Sequence, residues 1–285
     1  MAERQLALPG PIVKKSNHIA RCAWPAKSVF EPRLVALVAS RVTVADEDFK
    51  EYEIPVDELF REEGGATHRA IDEVSKALMS RTILIPDPDG WTMYSVFSKC
   101  RYNRKKRTVT VRFDPDLKPH YLALKGHFTQ YSLFEFLLLP SVYSQRIFEI
   151  LKSWQPTHAE ITLPIEDLYK QLAVPESHRA DFAAFRRRVL EKAHKDIHKH
   201  TSLRFDWEPV RQGRVVTGVR FVFTQARTAP IAAAKKKKAV SDESQKRNQA
   251  MIQAHKCYAQ CHGQCTPRPG LLQCDVCKRY VQPKA

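Results

Sequence analysis

An α+β fold with two winged helix-turn-helix units in tandem is predicted by three features of this 285-residue chain. Glu53-Ile-Pro-Val-Asp-Glu-Leu59 and Thr162-Leu-Pro-Ile-Glu-Asp-Leu168, about 109 residues apart, share one pattern: x, apolar, Pro, apolar, acid, acid, Leu. Each is preceded by one apolar helical stretch and followed by another. Each half then closes with two stretches of alternating apolar residues, the period of half-buried strands. Helix, strand, helix, helix, hairpin is the element order of a winged helix, and it occurs twice.

Residues 1–27 read as an N-terminal arm and 28–139 as the first unit. Its first helix is expected over Phe30–Val44. The heptapeptide then makes a short strand entering a helix with Pro in the first turn, where a missing N–H costs nothing. The two acids sit at the favourable end of the helix dipole. A helix over Thr67–Arg81 turns Ile71, Val74 and Leu78 inward and exposes Arg69, Lys76 and Arg81. Strands Trp91–Arg101 and Thr108–Phe113 close the unit through the basic turn Asn103-Arg-Lys-Lys-Arg107.

The second unit, 140–225, repeats this order. Ser141 is the expected N-cap of a helix over Val142–Trp154. A long helix over Ser177–His200 follows the second heptapeptide. Strands Ser202–Glu208 and Val215–Thr224, joined through Arg211-Gln-Gly-Arg214, form the closing hairpin.

Charge separates the body from a tail. The chain carries 47 Lys+Arg against 31 Asp+Glu, a net +16. Residues from Ala226 onward hold 12 basic and 3 acidic residues, so more than half of the excess lies in about a fifth of the chain. Such an excess favours a polyanionic partner, nucleic acid or an acidic surface. Only nine glycines occur, and none forms a GxGxxG or GxxxxGK[ST] pattern, so nucleotide-binding loops lack support. No run of about 18 apolar residues is present and the start lacks a signal-peptide core, which favours a cytoplasmic protein without a membrane partner.

The helix Ser177–His200 carries the strongest functional signal. Phe182, Phe185, Val189, Ala193 and Ile197 form one apolar stripe, with Arg187, Arg188, Glu191, His194, Lys195 and His198 opposite and Arg186 and Lys192 flanking. Seven basic residues and three acids leave this stretch at +4. A helix buried on one side with arginines on the other suits a DNA major groove, where guanidinium binds guanine bidentately and Glu191 can accept from cytosine. Arg211 and Arg214 on one hairpin tip, and Arg104, Lys105, Lys106 and Arg107 on the other, suit phosphate contacts. Arg69 and Lys76 mark a less basic counterpart helix, so the second unit is expected to read bases and the first to touch backbone or another subunit. His194, His198 and His200 read as charged-face residues, and Cys22 and Cys100 as packing residues. No catalytic constellation emerges, and a non-enzymatic role is expected.

The remaining five of seven cysteines fall between Cys257 and Cys277. After a basic linker, 226–250, the segment 251–285 reads as a zinc-binding tail. Cys261, Cys265, Cys274 and Cys277 supply four thiolates for one structural ion, with Cys257 or His255 as alternates, because zinc takes four tetrahedral sulfur or imidazole ligands.

The body also resembles the iteron-binding replication initiators of theta-replicating plasmids. The resemblance rests on Val13-Lys-Lys-Ser-Asn-His-Ile19, Phe128-Thr-Gln-Tyr-Ser-Leu133 and Ser141-Val-Tyr-Ser-Gln-Arg-Ile-Phe-Glu-Ile-Leu151. It extends to Phe185-Arg-Arg-Arg-Val-Leu190, Asp196-Ile-His-Lys-His-Thr201 and Gly213-Arg-Val-Val216, and covers roughly residues 11 to 225. Family members often carry Pro-Ala after Val-Leu, where Glu191-Lys192-Ala193 stands here, and the cysteine tail is not a general family feature. The resemblance implies binding of repeated sites in double-stranded plasmid origin DNA as a monomer, origin opening, and recruitment of the host initiator and replicative helicase. It also implies a homodimer, formed through the first unit in equilibrium with monomer, that represses its own gene. A tandem winged-helix transcriptional regulator shares every DNA-contact feature, and a metal-dependent nuclease is a third class.

Overall fold

The computed structural model describes residues 10–43, 46–60, 68–87, 89–122, 124, 128–179 and 181–224. Ile12–Ser16 forms β1 and Asn17–Arg21 forms α1, capped by the Ser16 hydroxyl, which accepts from the Ile19 N–H. Helix α2, Phe30–Ala39, is buried along its whole length. It stops short of the expected Val44, where the Ser40 hydroxyl and the Arg41 guanidinium both donate to the Leu37 carbonyl. The first unit continues with β2 (Tyr52–Pro55), α3 (Val56–Leu59), α4 (His68–Met79), β3 (Thr82–Asp87), β4 (Gly90–Ser95), β5 (Phe97–Asn103) and β6 (Thr108–Phe113). Helix α5 (Lys118–Tyr121), β7 (Phe128–Ser132) and α6 (Leu133–Leu137) lead to the second unit. That unit comprises α7 (Val142–Trp154), β8 (Glu160–Pro164), α8 (Ile165–Gln171), α9 (Glu176–Arg179), α10 (Phe182–Phe185), α11 (Glu191–His200), β9 (Phe205–Gln212) and β10 (Val215–Phe223).

The helix, strand, helix, helix, hairpin order is realised twice. Antiparallel sheets ordered β2-β6-β5 and β8-β10-β9 close the two halves. Both heptapeptides do the same work. Ile54 and Val56 are buried on either side of Pro55, as Leu163 and Ile165 are beside Pro164. Each proline sits at the N-cap, one residue earlier than the expected first turn, with φ near −59° and −55°. Gly218 in β10 lets β8 approach, since a Cβ there would lie 2.9 Å from the Leu163 carbonyl oxygen. Pro209 is tolerated because β9 is an edge strand.

Three expectations are corrected. The stretch Trp91–Arg101 is two strands: β4 pairs with β3, and β5 pairs with β6. Buried Val96 divides them, its N–H donating to the Arg81 carbonyl and its carbonyl accepting from the Asp114 N–H. Arg81 is not an exposed residue of α4, because its guanidinium lies 2.6 Å from the buried Glu31 carboxylate. The expected N-terminal arm is structured from Ile12 onward, where β1 pairs with β7, Ile12 opposite Ser132.

A buried polar cluster joins β1 and α1 to α7. Glu149 is paired with Lys15 and Arg146 and accepts from the Tyr131 hydroxyl at 2.5 Å. Arg146 also donates to the Ala20 and Cys22 carbonyls at 3.1 and 2.7 Å. At the far end of α7, the Arg21 guanidinium stacks 3.4 Å over the Trp154 ring and donates to Ser153. Among the described residues no helix is long and apolar enough to cross a membrane.

Candidate nucleic-acid interface

Residues 182–200 form one helical run with an irregular centre. The Asp181 carboxylate caps it, accepting from the Ala183 N–H at 2.9 Å. Phe185, Val189, Ala193 and Ile197 are fully buried, as their spacing requires. Each four-residue step overshoots a 3.6-residue turn, so a regular α-helix would carry this stripe around its own axis. A π-helical turn over Arg186–Leu190 absorbs the overshoot and keeps the stripe facing the core. The expected single helix Ser177–His200 is accordingly α9, α10, the π turn and α11 in succession.

Two sets of polar contacts hold the run against its neighbours. The Ser144 hydroxyl on α7 donates to the Asp196 carboxylate at 2.6 Å. His194 and His198 together hold the backbone of Phe205, where β9 begins. The His194 Nε2–H donates to the Phe205 carbonyl at 3.0 Å, and the Phe205 N–H donates to His198 Nε2 at 3.2 Å. These two histidines are half-buried structural residues rather than members of a charged face. Since β9 is an edge strand, the Phe205 N–H and carbonyl have no strand on their outer side to pair with, and here the imidazoles satisfy them. Burial, then the neighbouring His194, pushes the His198 pKa down.

The outward side presents Arg186, Arg187, Arg188, Glu191, Lys192 and Lys195, all exposed. Arg186 pairs with Glu191 at 3.1 Å. Among the described residues Arg187, Arg188, Lys192 and Lys195 make no ion pair, so their charge is available to an outside partner. Arg211 and Arg214 are exposed at the β9–β10 turn, which Gly213 closes with φ +62°.

The first unit places its basic residues differently. Arg104, Lys105, Lys106 and Arg107 occupy the β5–β6 turn, where the Asn103 side chain accepts from the Lys105 and Lys106 N–H groups at 3.1 Å. Arg107, at φ 51°, pairs with Asp57 at 3.0 Å. On α4, Arg69 and Lys76 are engaged by Glu73 and Asp72, each at 2.8 Å. The α4 cations are therefore paired within their own helix, whereas Arg104, Lys105 and Lys106 on the turn, like Arg187, Arg188, Lys192 and Lys195, make no ion pair among the described residues.

Sequence reasoning missed the Phe205 clamp, the Ser144–Asp196 bond and an apolar ribbon. Leu84, Trp91 and Met93 on β3–β4 are 43%, 61% and 50% exposed. Leu84 faces Met93 across the pair, so the exposed side chains form one stripe. Alternation did signal strands here, but not which face meets solvent. The expected zinc ligands Cys261, Cys265, Cys274 and Cys277, with Cys257 and His255, lie outside the described residues. Cys22 and Cys100 are free thiols whose pKa values burial pushes up, which suits packing.

Two family models match the chain in succession: "Initiator Replication protein, WH1" over residues 12–152 and "Initiator Rep protein, WH2" over 164–223. Among solved structures, the fold is similar to that of the Pi initiator protein in complex with iteron DNA. That similarity has a TM-score of 0.61 at 17% identity and covers 75% of this chain and 96% of the other. Domains 2 and 3 of RctB align with a TM-score of 0.44 at 8% identity, over 79% of this chain and 94% of the other.

Proposed function

The chain belongs to the family of initiator replication proteins, and from that premise we propose that it binds repeated sites, iterons, at a bacterial plasmid origin. The observation that carries this reading is the outward face of residues 186–195, where Arg187, Arg188, Lys192 and Lys195 make no ion pair among the described residues, on a helix buried along its opposite side. Arg187, Arg188, Lys192 and Lys195 are the proposed groove-facing residues, with Arg211 and Arg214 on phosphates. Arg104, Lys105 and Lys106 add backbone contacts from the first unit. Binding of iteron DNA by the structurally similar Pi initiator supports the choice of partner.

The finer steps belong to the same reading. Bound at several repeats in the cytoplasm, the protein opens adjacent DNA and recruits the host initiator and replicative helicase. Bending or unstacking DNA costs several kcal/mol, which phosphate contacts offset, so no catalytic step is assigned. A dimer formed through the first unit represses its own gene, and the exposed β3–β4 stripe is the surface that supports this assignment. The tail cysteines hold one zinc ion.

Footprinting on the plasmid's own noncoding DNA tests the reading: protection of several direct repeats is expected, and a single operator without repeats would identify a regulator instead. Arg187→Ala or Arg188→Ala is expected to cost about 1–3 kcal/mol on the specific site where that residue is bidentate to guanine. Unchanged site preference in both variants would remove this helix as the reader.

A further inference from the structure

Glu191 is an acid on a face that is otherwise cationic. Its carboxylate lies 3.1 Å from Nε of Arg186, five residues earlier, with the two side chains 50% and 53% exposed. In a regular α-helix, residues five apart point about 140° away from one another. Ion pairs on helices accordingly form at spacings of three or four. Here the pair spans the π turn. The Glu191 N–H donates to the Arg186 carbonyl, so backbone and side chain link the same two residues.

We propose that Glu191 is a positioning residue for Arg186, and that the pair forms a buttressed guanine reader at the edge of the DNA-facing helix. Holding Nε from the side leaves Nη1 and Nη2 as an end-on fork. That fork matches O6 and N7 of guanine in the major groove. Glu191 itself has nothing to bind on that base, because the groove edge of guanine presents only acceptors. A carboxylate beside phosphates also repels them, so its cost to general affinity is offset by a gain in selectivity. Arg187 and Arg188, without ion pairs among the described residues, keep their full donor sets. The inference rests on the reading of residues 182–200 as the DNA-facing element.

The two effects have opposite signs, and that separates positioning from charge or folding. Full-length protein would be titrated at fixed salt against the cognate duplex, each single base-pair substitution of it, and a random duplex. Glu191→Ala is expected to tighten random-duplex binding several-fold while reducing discrimination at one G·C pair about tenfold. Glu191→Gln keeps an acceptor for Nε without the charge. It is expected to tighten random binding while retaining discrimination at that pair. Arg186→Ala and Arg186→Lys are both expected to lose discrimination at the same pair, lysine because it lacks the fork. Adding Glu191→Ala to Arg186→Ala is expected to change discrimination no further.

Equal changes on cognate and random DNA in Glu191→Ala would overturn the proposal, as would effects of the two residues at different base pairs. Selectivity lost only in Arg187→Ala or Arg188→Ala would remove the buttressed pair and leave the helix as reader. Selectivity unchanged in every variant would remove both.

Discussion

Glu149 answers two buried cations with one carboxylate. Burial by itself would raise its pKa, but Lys15 and Arg146, with the Lys15 and Tyr131 hydrogen bonds, hold it below the usual carboxylate range. Removing one partner from such a cluster leaves the others buried and uncompensated, at a cost of about 3–5 kcal/mol. Glu149→Ala is expected to lower unfolding free energy by about that amount in urea titrations. A loss under about 1 kcal/mol would mean that water reaches the cations and the cluster is not a structural anchor. His198 gives a pH signature. Its pKa is lowered in the fold, so the unfolded chain takes up the proton first as pH falls. The Phe205 clamp therefore contributes fully above the free-histidine pKa of about 6.5 and is lost as pH falls through the lowered value. His120, also lowered by burial, acts in the same sense. Thermal midpoints measured from pH 7.5 to pH 5 are expected to fall in the native protein and to fall less steeply in His198→Gln. Identical slopes would show that the imidazole does not hold the strand.

At the scale of elements, local signals and long-range pairing divide cleanly. Helix α7 begins and ends where expected, because its determinants are local: the Ser141 hydroxyl accepts from the Ser144 N–H at 3.1 Å, and the apolar positions follow within four turns. The heptapeptide strands were legible for the same reason. Strand β1 was not, since its partner lies over a hundred residues away, with Ser16 opposite Phe128. The split at Val96 was hidden because apolar residues lie on both sides of it, Tyr94 before and Phe97 after, with no Gly or Pro to mark a break. The candidate site was half legible. Spacing placed the arginines on an exposed face, but only the π turn brings Arg186 to Glu191 and only the sheet brings Phe205 to His194 and His198. The β3–β4 ribbon carries its own expectation. A two-stranded element with exposed edges and an apolar face is a surface for association. Replacing both Trp91 and Met93 by Asp is expected to shift sedimentation from dimer toward monomer while leaving binding to one repeat intact. Unchanged mass would place the dimer contact elsewhere.

At the scale of the molecule, more than half of the net charge lies in residues 226–285, outside the described residues. Cutting after Gln225 removes 12 basic and 3 acidic residues. The truncated protein is expected to keep its preference for specific sites and to show a shallower dependence of random-DNA affinity on salt, because fewer cations displace counterions. Loss of site preference would mean that the tail reads sequence. About one zinc per full-length chain, and none after truncation, is expected from metal analysis. Metal-free full-length protein would contradict the thiolate site.

The amino-acid sequence by itself determined the two-fold repetition of a winged unit, the inward stripe of the basic helix and the separation of a cationic tail. All three are properties of composition or of neighbours within a few turns. Tertiary structure decided which cations remain available. Arg81 and Arg107 are engaged by acids fifty residues away in the sequence, while Arg187, Arg188, Lys192 and Lys195 make no ion pair among the described residues. Formal charge is additive along a chain, but free charge depends on which carboxylate folding places beside each cation.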